Sequence, residues 1–293
     1  MFLIYHIHRI IMLKLARTGK RRSIRISRWL KPDENLLGIC SENPATCGID
    51  QKISDVLETF AKTYRRLPAI DEYGYLRGMV SSTDILKALG GWKDFDKIAP
   101  RNRLNLKVRD VMNAHVFHLE KNTDMPAVLA AFRKHRRGAY PVVYRKKVLG
   151  IVTEWDIVKH IKGRTGVKVS DIMVRKPLVA QENYSVAEVA RMLAMGGFRR
   201  LPVMKKGEMI GIITPRDILK YLYKNDIPDR LQEQRQSVKN VMEKDVASIN
   251  KDEDVYEAVK VMVERRIGGL PVVEGSELLG IITERDIVDI VEL

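Results

Sequence analysis

One pattern of about 23 residues occurs four times in this chain of 293, and it constrains the fold more than any other feature. It reads YRRLPAIDEYGYLRGMVSSTDIL at 64–86, RRGAYPVVYRKKVLGIVTEWDIV at 136–158, GFRRLPVMKKGEMIGIITPRDIL at 197–219 and RIGGLPVVEGSELLGIITERDIV at 266–288. Pro68, Pro141, Pro202 and Pro271 recur, as do Asp84, Asp156, Asp217 and Asp286, with steps of 72, 61 and 69 residues between the aspartates. An internal repeat of this length is one supersecondary unit that hides its apolar face only against another copy.

A second shared piece precedes each core, clearest as VRDVMNAHVFHL, VSDIMVRKPLVA and VKNVMEKDVASI; the first copy lacks Val-Met and begins near LLGICSENPATCGI. Segments such as SVAEVARMLAMGG and DVYEAVKVMVERR follow, with apolar residues every three or four positions, the mark of a helix with one buried face. The Gly196-Gly197 and Gly268-Gly269 pairs fit helix stops. LPVM and MIGII are short apolar runs around Lys205-Lys206-Gly207, which predicts two strands joined by a tight turn, and TPRDILKYL starts a second helix.

The expected class is therefore α/β (α+β), with each unit ordered strand, helix, strand, strand, helix. The expected divisions are a basic N-terminal tail at 1–35 and units at 36–92, 106–163, 168–225 and 237–293. At about 55–60 residues each, the units are marginal alone, and pairing into two modules supplies the missing burial. Two such modules can close into a pseudo-symmetric disk within one chain, the expected arrangement, or pair with a second chain as a homodimer.

The net charge of +15 is uneven: residues 1–31 hold nine Lys or Arg and no acid, leaving +6 for a body rich in both signs. The stretch RTGKRRSIRISRWLK interleaves basic residues with Ile24, Ile26 and Trp29, so residues 14–31 are read as a solvated tail or as a contact for nucleic acid, an acidic partner or a membrane surface. The opening MFLIYHIHRIIMLKLA is interrupted by His6, His8 and Arg9 and falls short of the ~20 apolar residues of a membrane span. Either Met1 or Met12 can be the start. Two cysteines, Cys40 and Cys47, with no ligand-like cluster around them, suit a reducing cytoplasm without a metal site.

Each last helix begins on Gly, two apolar residues, Ser or Thr, two variable residues and Asp: Gly78, Ser81, Asp84; Gly150, Thr153, Asp156; Gly211, Thr214, Asp217; Gly280, Thr283, Asp286. One reading is a capping box, in which Ser or Thr and the acid three residues later satisfy each other's backbone. The other is a ligand site, in which helix-start N–H groups and hydroxyls meet a phosphate and the carboxylate accepts from a ribose diol. Both can hold together. Arg65-Arg66 and Arg199-Arg200 stand ahead of Leu-Pro in the first and third copies, where the others carry Gly138-Ala139 and Gly268-Gly269. Guanidinium groups hold phosphate through two hydrogen bonds and keep their charge at any accessible pH. Alternation implies anion-handling copies, each joined to one that leaves room, hence modules of one plus two and three plus four.

The recurring Leu-Pro-Val and Gly-Ile-Ile-Thr-Glu-Arg-Asp-Ile motifs resemble those of cystathionine-beta-synthase (CBS) domains, here four of them in two Bateman modules, from Leu36 to Leu293. The arrangement is similar to archaeal relatives of the gamma subunit of AMP-activated protein kinase. The resemblance implies AMP, ADP or ATP between repeats, with S-adenosylmethionine as the adenosyl alternative. It implies Asp84, Asp156, Asp217 and Asp286 at ribose hydroxyls and Ser81, Thr153, Thr214 and Thr283 at phosphate. Arg65, Arg66, Arg199 and Arg200 would neutralise that phosphate, and the adenine would lie against Thr46 and against Pro177, Leu178 and Val179.

Nothing in the repeats sets a nucleophile beside a base: His6, His8, His115, His118, His135 and His160 do not recur at matching positions, and no Gly-rich loop ends in Lys-Ser or Lys-Thr. The expected function is a non-enzymatic nucleotide sensor that passes ligand state to a partner protein. The alternatives are nucleic-acid binding through the tail and an S-adenosylmethionine-binding module.

Overall fold

The structure is a computed structural model that describes residues 23–91, 101–225 and 236–293. The choice between Met1 and Met12 and the basic residues 14–22 lie outside the described residues. Every repeat has the expected order. The third, for example, runs from strand Ala180–Gln181 through helix Val186–Gly196 and strands Leu201–Lys205 and Glu208–Ile213 to helix Pro215–Lys224.

Local chemistry explains these boundaries. Ser185 caps the helix Val186–Gly196 reciprocally with Glu188, the helix buries Val189, Ala190 and Leu193 on one face, and Gly197 ends it at φ 62°. The helix Val255–Arg265 ends differently: Arg266 takes the left-handed turn at φ 52°. Gly268-Gly269 therefore lies beyond the helix stop expected of it, and its reason is found at the centre of the molecule. In each repeat the first strand pairs in parallel starting one residue after the proline, Cys47 to Ala69, Leu119 to Val142, Ala180 to Val203 and Ile249 to Val272. A residue with no N–H thus stands just outside that ladder.

The repeats are joined in pairs by exchange. Ser41 and Glu42, leading into repeat 1, pair with Ile151 and Gly150 of repeat 2, and Asn113 of repeat 2 returns to Met79 of repeat 1. Repeats 3 and 4 do the same through Val174 on Ile281 and Glu243 on Ile212. This close approach accounts for the first residue of the Gly-x-x-Ser/Thr motif. A Cβ on Gly78, Gly211 or Gly280 would lie 2.8–2.9 Å from the carbonyl oxygen of the incoming strand, and one on Gly150 would lie 2.5 Å from Cys40 Sγ. Met112, Met173 and Met242 pack on the other three glycines where Cys40 packs on Gly150. Cys40 thus replaces the methionine that repeat 1 lacks.

The two modules then stack through helices. Helix Ile53–Lys62 of repeat 1 packs on Pro215–Lys224 of repeat 3, and Glu154–Val158 of repeat 2 on Glu284–Val288 of repeat 4. The result is a ring in the order 1, 2, 4, 3, with one apolar core shared by repeats 1 and 3 and another by repeats 2 and 4.

The second core contains a segment that its charge assigned to a solvated tail. Ile24 and Arg25 form a strand parallel to Val291 and Glu292, and Ile24, Ile26 and Leu30 are at most 2% exposed. Arg133 donates to the Val291 carbonyl, and Arg28 to that of Arg164 at 3.0 Å. Residues 24–30 are therefore part of the fold. The alternation Ile-Arg-Ile is a half-buried strand with its cations turned outward, and the isoleucines are not free to interleave with a nucleic acid.

Candidate functional site

The second helix of each repeat starts at the inner side of the ring, and all four starts carry the reciprocal cap. The hydroxyls of Ser81, Thr153, Thr214 and Thr283 donate to Oδ2 of Asp84, Asp156, Asp217 and Asp286 at 2.6–2.7 Å. Their own N–H groups reach the same oxygen at 2.8–3.0 Å. The cap thus occupies one carboxylate oxygen, and in Asp156 the other accepts from Lys159 at 2.9 Å. Burial pushes the Asp217 carboxyl above its usual range against the pull of the Thr214 hydrogen bonds.

Beside these helix starts the arginine pairs converge. Repeats 1 and 3 supply Arg65, Arg66, Arg199 and Arg200, and the small residues of repeats 2 and 4 make room for them. A Cβ on Gly138 would lie 2.7 Å from Arg66 Nη2 and would overlap Arg199, while one on Gly269 would overlap Arg200. Gly268 clears the Glu284 carboxylate by the same means, 2.7 Å from where a Cβ would stand.

Two glutamates, missed by the sequence reading, complete the centre. Glu154 and Glu284 follow Thr153 and Thr283 directly, where repeats 1 and 3 have Ser82 and Pro215, and both are buried. Glu154 binds the Arg199 guanidinium with both oxygens and Arg285 Nη2 at 2.5 Å. Arg285 is held further by the carbonyls of Phe132 at 2.7 Å and Arg137 at 2.6 Å. Burial and the neighbouring Arg199 pull Arg66 down to about 10; burial and Arg65 do the same to Arg200. Arg199 moves the other way: burial opposes its charge, but Glu154 outweighs burial and raises it. Arg200 Nε is buried with no hydrogen-bond partner among the described residues. Guanidiniums outnumber carboxylates here, and an anion would satisfy the excess.

Two cavities open onto this cluster. The first, about 170 Å³, lies between Thr214 of repeat 3 and the Asp245–Ala247 lead-in of repeat 4, and reaches Ser81 and all four paired arginines. The second, about 260 Å³, lies between Thr283 and Asp286 of repeat 4 and the lead-in of repeat 3 at Pro177 and Leu178, with Arg199, Arg200 and Arg285 on its wall. Arg199 and Arg200 border both. Asp84, Thr153, Asp156, Asp217, Val179 and the exposed Thr46 border neither of these two cavities. Arg136, Arg285 and Asp289 line the second and were not anticipated.

Four like units, exchanged in pairs and stacked into a ring around a charged centre, define a tandem-repeat architecture. The CBS domain profile matches residues 36–91, 108–163, 169–224 and 238–293, and the chain belongs to the CBS-domain family. Over 241 residues it is 28% identical to the Methanocaldococcus jannaschii protein MJ1225, covering 76% of this chain and 86% of that one. It is 30% identical over 251 residues to a 33.4 kDa protein in the ribosomal RNA operon of Thermofilum pendens, covering 80% and 84%. Among solved structures, MJ1225, described as a candidate archaeal homolog of g-AMPK, superposes with a TM-score of 0.79 at 26% identity, over 87% of this chain and 99% of that one. A Pyrococcus horikoshii protein shares the fold at TM-score 0.57 and 21% identity, over 87% and 98%.

Proposed function

We propose that this protein is a non-enzymatic sensor of adenine nucleotides, binding AMP, ADP or ATP in clefts between repeats and presenting the liganded state to a partner protein. The observation that carries the reading is the pair of cavities that share Arg199 and Arg200. Each joins a Ser/Thr helix start of one repeat to the lead-in of its exchange partner and ends on guanidiniums in excess of carboxylates. An elongated ligand with a flat base at one end and phosphate at the other matches that polarity. The similarity to MJ1225, described as a candidate homolog of g-AMPK, points the same way. In this reading Asp286 holds ribose, Pro177 and Leu178 face the base, and Arg66 and Arg200 neutralise phosphate. Because the two cavities share arginines and lie where the modules meet, a ligand in one alters the charge seen by the other and the packing of the ring.

Calorimetric titration of nucleotide-stripped protein with AMP, ADP, ATP, adenosine and S-adenosylmethionine tests this reading. Arg66→Ala with Arg200→Ala should weaken nucleotides about 100-fold or more, the loss of two charge-assisted contacts, and adenosine far less. Equal losses for nucleotide and adenosine, or a preference for S-adenosylmethionine, would overturn the phosphate assignment.

A further inference from the structure

The two buried glutamates occupy the same position in repeats 2 and 4, yet they behave differently. Glu284 borders the first cavity and makes no ion pair within 4.0 Å among the described residues. Glu154, 1% exposed, is bound by Arg199 of repeat 3 and by Arg285 of repeat 4, so one carboxylate of repeat 2 ties three repeats together. It does not serve the helix cap, which Thr153 and Asp156 complete by themselves. Arg199 and Arg285 are wall residues of the second cavity, and Arg199 of the first as well. The carboxylate therefore uses the guanidinium capacity that a phosphate entering either cavity would need. We propose that Glu154 is a resident counter-anion: it holds Arg199 and Arg285 against the phosphates of a ligand and so biases the clefts toward one phosphate over three.

The charge argument gives the bias its direction. Arginine keeps its proton, so the fixed negative charge of Glu154 must be displaced or tolerated by every added phosphate. In a partly buried site that repulsion is only weakly screened and grows with ligand charge from mono- to triphosphate. The inference rests on the nucleotide reading, and inorganic anions separate the two.

Wild type and Glu154→Gln should be titrated with AMP, ADP and ATP, and in parallel with inorganic phosphate, pyrophosphate and tripolyphosphate. The variant should gain about threefold for AMP and about thirtyfold for ATP, a spread of the size expected for unit charges in a site of intermediate dielectric, with adenosine unchanged. Equal gains for AMP and ATP, or weaker binding of every anion, would overturn the proposal; the latter would make Glu154 a positioning residue for the two arginines. Glu154→Asp keeps the charge and, should the glutamine variant fold poorly, supplies the comparison: its ATP-to-AMP ratio should stay near wild type, and a shift toward ATP counts against the proposal. If the inorganic series binds and tightens in Glu154→Gln while nucleotides do not bind, the nucleotide reading fails and the counter-anion stands. If neither series binds, both fall.

Discussion

Repeats 1 and 3 differ from repeats 2 and 4 in two features that meet at the centre, and the differences are complementary. The first pair places arginines at the start of the second strand and a small residue, Ser82 or Pro215, after the capping Ser or Thr. The second pair places glycine or alanine at the strand and a buried glutamate after the threonine. The ring order 1, 2, 4, 3 sets each arginine-bearing repeat beside one glutamate-bearing repeat by strand exchange and beside the other arginine-bearing repeat by helix packing, so cations, counter-ions and empty volume meet at the centre. One fold repeated four times would put four identical side chains there and repel itself. Alternation lets a fourfold scaffold carry a charged centre.

The most damaging way to break this complementarity is to make an even repeat resemble an odd one. In Gly269→Arg, the new Cβ would overlap the Arg200 guanidinium and come within 2.8 Å of the Ile282 carbonyl oxygen, and a further cation would enter a site already rich in them. Overpacking and charge burial together should remove on the order of 4 kcal/mol or more, seen in urea unfolding or as loss of soluble protein. The reverse change, Arg200→Gly, removes a buried cation whose Nε has no hydrogen-bond partner among the described residues and should fold normally. Equal damage from both changes would show that position and not charge complementarity governs the centre.

These cases separate what was legible in the sequence from what was not. The strand and helix order, the repeat pairing and the space that Gly138 leaves for arginine could be read because each rests on local periodicity or on comparison of copies. Gly78 and its counterparts looked like part of a ligand motif, but they serve strand exchange, which only the partner's backbone reveals. Glu154 was hidden for a related reason: its ion pairs come from residues 45 and 131 positions away. The signal existed, since Glu alternates with Ser or Pro in step with the arginine pairs, but Thr-Glu-Arg-Asp was read as a helix start. Ile24 and Ile26 were lost to the basic residues around them. Net charge says which side of a segment faces water and nothing about the side that does not.

The N-terminal segment sharpens the comparison of the two cores. Leu30, fully buried, packs into the core of repeats 2 and 4, whereas among the described residues the earliest that packs on the core of repeats 1 and 3 is Ala45. Leu30→Ala should cost about 2–5 kcal/mol. Amide exchange should rise in the helices Met125–His135 and Val255–Arg265 before it rises in Ile53–Lys62. Uniform loosening of both cores would mean that the ring melts as one unit and that the segment is not specific to the even pair.

The smallest effect distinguishes the two glutamates from each other. Burial raises the Glu284 carboxyl above its ordinary 4.5, a shift that Arg65 opposes and Glu154 reinforces. The folded state therefore holds this proton more tightly than the unfolded chain does. Its contribution to stability is fully present below pH 4.5 and is lost as pH rises through the folded value. Glutamine cannot ionise, so Glu284→Gln should melt about 2–4 °C higher at pH 7, the equivalent of about 1 kcal/mol in a chain of this size, and the gain should vanish near pH 4. Glu154→Gln should melt lower at pH 7, because it leaves Arg199 and Arg285 without their carboxylate. Opposite signs from the same substitution at equivalent positions would establish that repeats 2 and 4 divide the work, one glutamate holding arginines and the other facing a cavity; the same sign at both would reduce the pair to ordinary counter-ions.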